Sequence, residues 1–343
     1  MTTDEPTFRE SGPWSAPIRD LDLKIEGSPL EPILAEFLGE LRGVGIVRVA
    51  PRFYLSTEWG VPDGTVAMAI PFYLARPDLT ALQADRLGYV EGTGKADILR
   101  YLRHEMGHVV NYAYLLHESP EWAEQFGRMS EPYPEEYQPQ PFSRRFVRHL
   151  PGWYAQKHPD EDWAETFAVW MTPGSGWRDE YEGWPDAMAK LRYCDRTMAM
   201  IADRDPIVTA DELDEDVAEL GYSVDDHYRQ ATPDPDEAFP DLDGALRSIF
   251  EDLGHPEISP AGSPRAPASD LFRKIERELA ADVYRWTGCF PERTLPLIRH
   301  LAGRSDRLGQ VYPVDRETPA LVAVTAMVTA LAMNRVSRGS FLT

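Results

Sequence analysis

The stretch at residues 95–119, KADILRYLRHEMGHVVNYAYLLHES, constrains this chain more than any other. Ile98, Leu99, Leu102, Met106, Val109, Val110 and Ala113 recur at steps of three and four, the pattern of a helix buried along one stripe. Inside that helix lies His104-Glu105-Met106-Gly107-His108. Two imidazoles one turn apart share a helix face, so both can reach one ion. Glu105, beside the first of them, can reach a water at that ion. Two neutral nitrogen ligands, an open metal position and a carboxylate base are what zinc-assisted hydrolysis needs. With eight histidines in 343 residues, chance seldom writes this pattern. Gly107 also lowers helix stability by about 1 kcal/mol relative to Ala. A bland helix gains nothing from it; next to His108 it leaves room for a close neighbour.

A chain of 343 residues can bury one large core or two modest ones. The net charge of −22 argues against nucleic acid and against an anionic membrane as partners, since both would be repelled. Cys194 and Cys289 form neither a disulfide framework nor a CxxC metal pattern. Residues 1–15 are acidic and hold no apolar signal segment. The longest apolar run, at 320–333, is interrupted by Thr325 and Thr329 and is too short for a membrane span. Together these features lead to the expectation of a cytoplasmic protein.

Residues 1–30, rich in Pro, Asp and Ser, are expected at the surface or partly disordered. Residues 32–42 read as a short helix and 44–56 as β-like. After a turn at 59–65, residues 66–74 (VAMAIPFYL) form an apolar strand. Pro71 cannot donate to a ladder, which puts this strand at a sheet edge. Such an edge ahead of the histidine helix is either a template for an extended peptide or a protected border. Residues 75–94 read as a connection. Their ending, EGTGK, fails as a phosphate loop, because Tyr89 and Ala96 stand where Gly and Ser or Thr are required. Gly92 and Gly94 are therefore read as the turn into the helix. Residues 121–129 and 144–150 look helical, with a Pro-rich loop at 130–143 between them, either a lid or a surface crossover.

A zinc site built on two histidines needs a third protein ligand. Residues 158–170, HPDEDWAETFAVW, start a helix at Pro159 and Asp160 with an acidic first turn. Glu161 and Glu165 lie one turn apart on the same face. Either could bind the ion while the other accepts the outer N–H of a histidine. The remaining histidines (117, 149, 158, 227, 255 and 300) lack a partner at ligand spacing and read as surface or capping residues. His149 and His158 are the two that folding could bring to the site as donors.

HExGH followed by EDWAETFA resembles the gluzincin metallopeptidases, with a relation to the lethal-factor-like branch. The stretch from about residue 70 to 173 is especially similar to bacterial zinc-binding metallopeptidase families. The resemblance covers roughly a third of the chain and implies a zincin-like core with zinc as cofactor. It implies that His104, His108 and Glu161 are ligands, that Glu165 supports a histidine and that Glu105 is the base. It further implies an oxyanion donor at Tyr154, seven residues before Glu161. The simpler reading of Tyr154 is an aromatic packed beside Trp153.

Beyond the site, residues 179–202 read as one or two helices broken at Pro185, and 210–220 as an acidic helix capped by Thr209. Segments 231–243 and 255–269 are linkers separating helices at 245–253, 270–287, 292–304 and 319–336, the last mostly buried. The expectation is an α+β protein, predominantly helical. It comprises an N-terminal segment (1–30), a zincin-like metallopeptidase domain with a small sheet (31–204) and a helical C-terminal lobe (205–343). The lobe covers the peptidase or pairs with a protein partner. The expected activity is zinc-dependent hydrolysis of a peptide or protein substrate. The rivals are a zinc-bearing scaffold without turnover and an amidohydrolase acting on a small molecule. The intact Glu105 speaks against the scaffold.

Overall fold

Leu30, Ile33, Leu34, Phe37 and Leu41 fall on one face of helix α1 (Leu30–Gly43), and that face is buried against the histidine helix. The computed structural model describes residues 14–134, 137–231, 239, 242–252 and 264–341. Residues 1–13, residues 135–136 of the Pro-rich loop and much of the two expected linkers lie outside them. The described part of the N-terminal segment is tied down: Ile18 is buried and donates its N–H to Tyr222 O at 2.9 Å.

Strands β1 (Arg52–Ser56) and β2 (Ala67–Pro71) pair in parallel, from Arg52↔Ala67 to Ser56↔Pro71. Residues 57–66 carry the chain back to the start of β2 and place residues 57–59 beside the histidine helix. β2 is buried along its whole length. Its far side is bridged by Gly60, whose carbonyl accepts the Ala69 N–H at 2.8 Å. At Ala69 the chain's own crossover therefore occupies the side of the strand away from β1. The 75–94 connection contains a helix that the sequence pattern hides, α2 (Pro77–Leu87), which buries only Leu79 and Gln83.

Helices α3 (Lys95–Ala113), α4 (Pro120–Phe126), α5 (Pro159–Met171), α6 (Trp177–Glu180), α7 (Pro185–Ile201) and α8 (Val224–Ala231) follow, and α3 packs along α5. Two expected helices are absent. In 144–150 the backbone N–H groups are committed elsewhere: Arg148 to the Tyr181 hydroxyl, His149 and Leu150 to the Glu165 carboxylate. Residues 210–220 run beside the strands instead, with Ala210 O accepting the Val66 N–H and Val217 N–H donating to Leu55 O.

The second half holds α9 (Asp243–Ile249), β3 (Glu251–Asp252), β4 (Arg265–Pro267), α10 (Ala268–Thr287), α11 (Pro291–Leu308), β5 (Gln310–Pro313) and α12 (Glu317–Arg338). The strands form an antiparallel sheet in the order β3-β5-β4, too short to leave a sequence period. The protein is thus α+β and predominantly helical. One core runs from Ile18 to Tyr228 and another from Leu246 to Phe341. The packing boundary falls after residue 228, because Val217, Val224 and Tyr228 complete the first core. Helix α12 is not mostly buried. It buries the stripe Ala320, Val324, Val328, Leu331 and Ala332 and leaves Val322 63% exposed. By length and composition alone, residues Val314–Arg338 are long and apolar enough to cross a membrane, contrary to the expectation from the 320–333 run. The flanking residues extend the helix without adding enough charge to end its apolar character.

Candidate metal centre

The two site helices touch at Gly107. A Cβ there would lie 2.6 Å from Ala164 Cα, so only a glycine permits this approach. The Trp163 indole N–H fixes the crossing by donating to Gly107 O at 2.7 Å. His104 and His108 are thereby brought against the first turn of α5. His104 Nε2 stands 2.9 Å from Glu161 Oε2 and 3.3 Å from His108 Nε2, and His108 Nε2 stands 3.4 Å from the same carboxylate oxygen. All three residues are buried. Around a tetrahedral zinc with bonds of about 2.0–2.1 Å, ligand atoms lie roughly 3.3 Å apart. The three protein separations, 2.9, 3.3 and 3.4 Å, lie near that spacing, so the donor set fits zinc and would leave one tetrahedral position free.

The outer ring nitrogens are each held by a carboxylate. His104 Nδ1 pairs with Glu165 Oε1 at 2.9 Å and His108 Nδ1 with Asp160 Oδ2 at 2.8 Å. Such pairing fixes the tautomer that turns Nε2 toward the common point. Glu165 is itself anchored by the N–H groups of His149 (3.0 Å) and Leu150 (2.9 Å). Asp160 accepts from Asn111 Nδ2 at 2.7 Å and from the Tyr112 hydroxyl at 2.6 Å. Glu161 thus sits at the inner nitrogens and Glu165 at an outer one.

Burial opposes charge on these rings, yet the hydrogen bonds and charges of Glu161 and Glu165 outweigh it and raise His104 to about 9. His108 is likewise raised well above the ordinary imidazole range, burial being outweighed by Asp160 and Glu161. The converging carboxylates call for positive charge at this point, and a divalent cation would take the place of the protons. Glu105 is 5% exposed, and burial pushes its carboxyl above the usual range.

Tyr154 lies at the site. Its ring meets His104 edge-on with centroids 5.5 Å apart, and its hydroxyl is 3.5 Å from the Tyr133 hydroxyl and 3.4 Å from Lys157 Nζ. The turn Pro151–Gln156 presents it through two left-handed residues, Gly152 (φ 78°) and Trp153 (φ 64°). A Cβ at 152 would lie 2.3 Å from the Tyr284 ring, and a tryptophan at positive φ is strained. Helix α10 holds this turn from the second core, through Tyr284 and through the Trp153 indole N–H to Trp286 O at 3.3 Å.

Three residues at the site escape the sequence pattern. Tyr133, from the Pro-rich loop, donates to Glu161 Oε1, and Lys157 lies over the Tyr133 ring at 4.4 Å. Neither carries a local signal. Asp160 does carry one, as the acidic residue directly before Glu161 at the helix start. His149 and His158 are not placed as donors. His149 Nε2 donates to Arg100 O at 2.9 Å, and burial lowers the ring to about 4. His158 caps α5, accepting the Asp160 N–H at 3.2 Å, and donates to Glu131 O at 3.0 Å.

Two cavities flank the centre and share Trp59, His104, Glu105 and Tyr154. One, of about 360 Å³, extends to α2, α10 and α11. The other, of about 530 Å³, extends past Gly60 and Tyr133 to His117.

Two histidines and a glutamate from crossed helices, with a buried carboxylate beside the first histidine, make an HExxH-based group that could hold a metal ion. Residues 93–174 match the model of a family described as "Putative zinc-binding metallo-peptidase". The matched segment contains α3, Tyr133, Tyr154 and α5. No curated protein and no solved structure matches the chain. The likeness to the lethal-factor-like branch has no counterpart among these comparisons.

Proposed function

We propose that this protein is a zinc-dependent peptidase whose substrate lies across the two cavities, with the scissile carbonyl between Glu105 and Tyr154. The observation that carries the reading is the triangle of His104 Nε2, His108 Nε2 and Glu161 Oε2 with Glu105 adjacent. Zinc held by these three would supply a Lewis acid that polarises a carbonyl and acidifies water. Glu105 takes the proton from the attacking water and delivers it to the departing amine nitrogen, so its carboxylate is regenerated each cycle. Its buried setting raises its basicity toward that of a group able to do both. The Tyr154 hydroxyl, set between Tyr133 and Lys157, donates to the carbonyl oxygen as negative charge grows there. Gln at 105 keeps the shape and loses the base. Glu105→Gln should retain stoichiometric zinc and lose about 10²- to 10⁴-fold in peptide hydrolysis. Undiminished hydrolysis by that variant would remove Glu105 from this role.

A further inference from the structure

The 360 Å³ cavity carries a charge pattern that the chemistry at Glu105 does not use. We infer that it is a subsite for a cationic group of the substrate, an alkylammonium or guanidinium, received by Glu58, Glu91 and Glu292 between aromatic walls. The inference rests on the peptidase reading, since the same cavity is lined by His104 and Glu105.

Three carboxylates reach it from separate parts of the chain: Glu58 from the crossover after β1, Glu91 from the turn before α3, and Glu292 from the first turn of α11. Among the described residues none of the three forms an ion pair within 4.0 Å. Among the described residues, Lys157 is the single lysine or arginine lining the cavity. It lies over the Tyr133 ring and against the Tyr154 hydroxyl, and its charge reaches Glu58 and Glu91 without an ion pair within 4.0 Å. Two acceptors in the cavity lining also lack donors. Glu292 Oε1 accepts from the Tyr89 hydroxyl, but its Oε2 is buried without a partner. Gln83, only 3% exposed, has an unpartnered Oε1. Buried acceptors left unmade are costly, and a multi-donor cation satisfies several at once.

The walls suit the same guest. Trp59 and Tyr101 stack at 5.2 Å, and Tyr284 and Phe290 at 5.0 Å. Aromatic faces and carboxylates together favour organic cations. A bare metal ion is a poorer fit. Among the described residues, only His104, His108 and Glu161 bring three ligand atoms within 4.8 Å of one another, so these carboxylates are too dispersed to clasp one. Burial, then the charges of Glu292 and Glu58, push Glu91 up to about 8, as expected of a carboxylate without a close ion-pair partner.

The cation could be a lysine or arginine side chain next to the scissile bond, or the free amine of a substrate N-terminus. The zinc-loaded protein is assayed on one peptide series carrying Lys, Arg, norleucine or citrulline at each position flanking the cleavage site, with free or acetylated N-termini. The charged members should exceed their neutral counterparts at least about tenfold in kcat/KM, and Glu292→Gln and Glu91→Gln should each shrink that ratio. If acetylation abolishes the advantage, the cation is the terminal amine; if it does not, it is the side chain. Binding is read separately, by calorimetry of the zinc-loaded Glu105→Gln protein with Nα-acetyl-arginine amide and with Nα-acetyl-citrulline amide. Preferential binding of the arginine compound, weakened by adding Glu292→Gln, supports the subsite even if no peptide is cut, in which case the peptidase reading alone fails. Cleavage without charge preference, together with equal binding of the two amides, overturns the subsite and leaves the peptidase reading intact. Equal binding with no cleavage overturns both.

Discussion

Ala164 Cα lies 2.6 Å from the point a Cβ on Gly107 would occupy, so the turn of α3 that carries His104 and His108 rests directly on the backbone of α5. That contact sets the separation between the histidines and Glu161. Gly107→Ala gains up to about 1 kcal/mol of helix propensity but must push the helices apart, at about 1–3 kcal/mol for overpacking. The variant should be less stable in urea and bind zinc more weakly in chelator competition. A variant more stable than the parent would show that the contact relaxes freely.

Asp160 and Glu165 would act on an ion bound by His104 and His108 only through the rings they hold. Asp160→Asn and Glu165→Gln should each lower zinc affinity about 10- to 100-fold, because an uncharged partner orients and polarises the imidazole less. Competition with a chromophoric chelator measures this. Glu105→Gln is the comparison expected to keep zinc, since no ligand nitrogen leans on Glu105.

Zinc bound by His104, His108 and Glu161 should stabilise the fold, because these residues and both outer carboxylates come from two helices that the ion would clamp together. At a free concentration about 100 times Kd, binding to the native state alone adds about 2.7 kcal/mol. Denaturation in zinc and in chelator should differ by that order. Identical curves would mean that the site binds no zinc or binds it equally in the unfolded chain.

Tyr154→Phe removes the hydroxyl proposed above as the oxyanion donor while keeping the ring against His104. It should lower kcat by about 10²- to 10³-fold with little change in KM. A fall confined to KM would assign Tyr154 to substrate binding.

The histidine helix is legible in the sequence because its apolar stripe and its ligand spacing both follow the 3.6-residue period. The choice between Glu161 and Glu165 is not legible, since both lie on one face. What separates them in the fold is the pair of amides at residues 149 and 150 that claim Glu165. The same two amides explain why 144–150 fails to become the helix its composition suggests. Residues 210–220 are acidic and periodic enough for a helix, but their backbone bonds to β1 and to the approach to β2 decide otherwise. Helix α2 buries too few apolar residues to announce itself. Tyr133 and Lys157 reach the site by tertiary folding alone, as do Glu91 and Glu292 on the other side.

His149 gives the fold an acid-sensitive element. Its ring donates to Arg100 O in a partly buried setting, where desolvation lowers its pKa to about 4, against about 6.5 for a free imidazole. The folded state therefore binds this proton less readily than the unfolded chain. Its contribution is fully present above about pH 6.5 and is lost as the pH falls from there toward 4, at a slope of up to about 1.4 kcal/mol per pH unit. The total is at most about 3 kcal/mol, less whatever solvent screening reaches the ring. Gln at 149 can still donate to Arg100 O, keeps the backbone N–H that anchors Glu165, and does not titrate. Urea denaturation at about pH 7, 5.5 and 4.5 should show the stability of the parent falling more steeply than that of His149→Gln. Carboxylates titrate in both proteins, so the difference between the two slopes isolates the imidazole. Parallel slopes would mean that the ring is already accessible to protons in the folded protein.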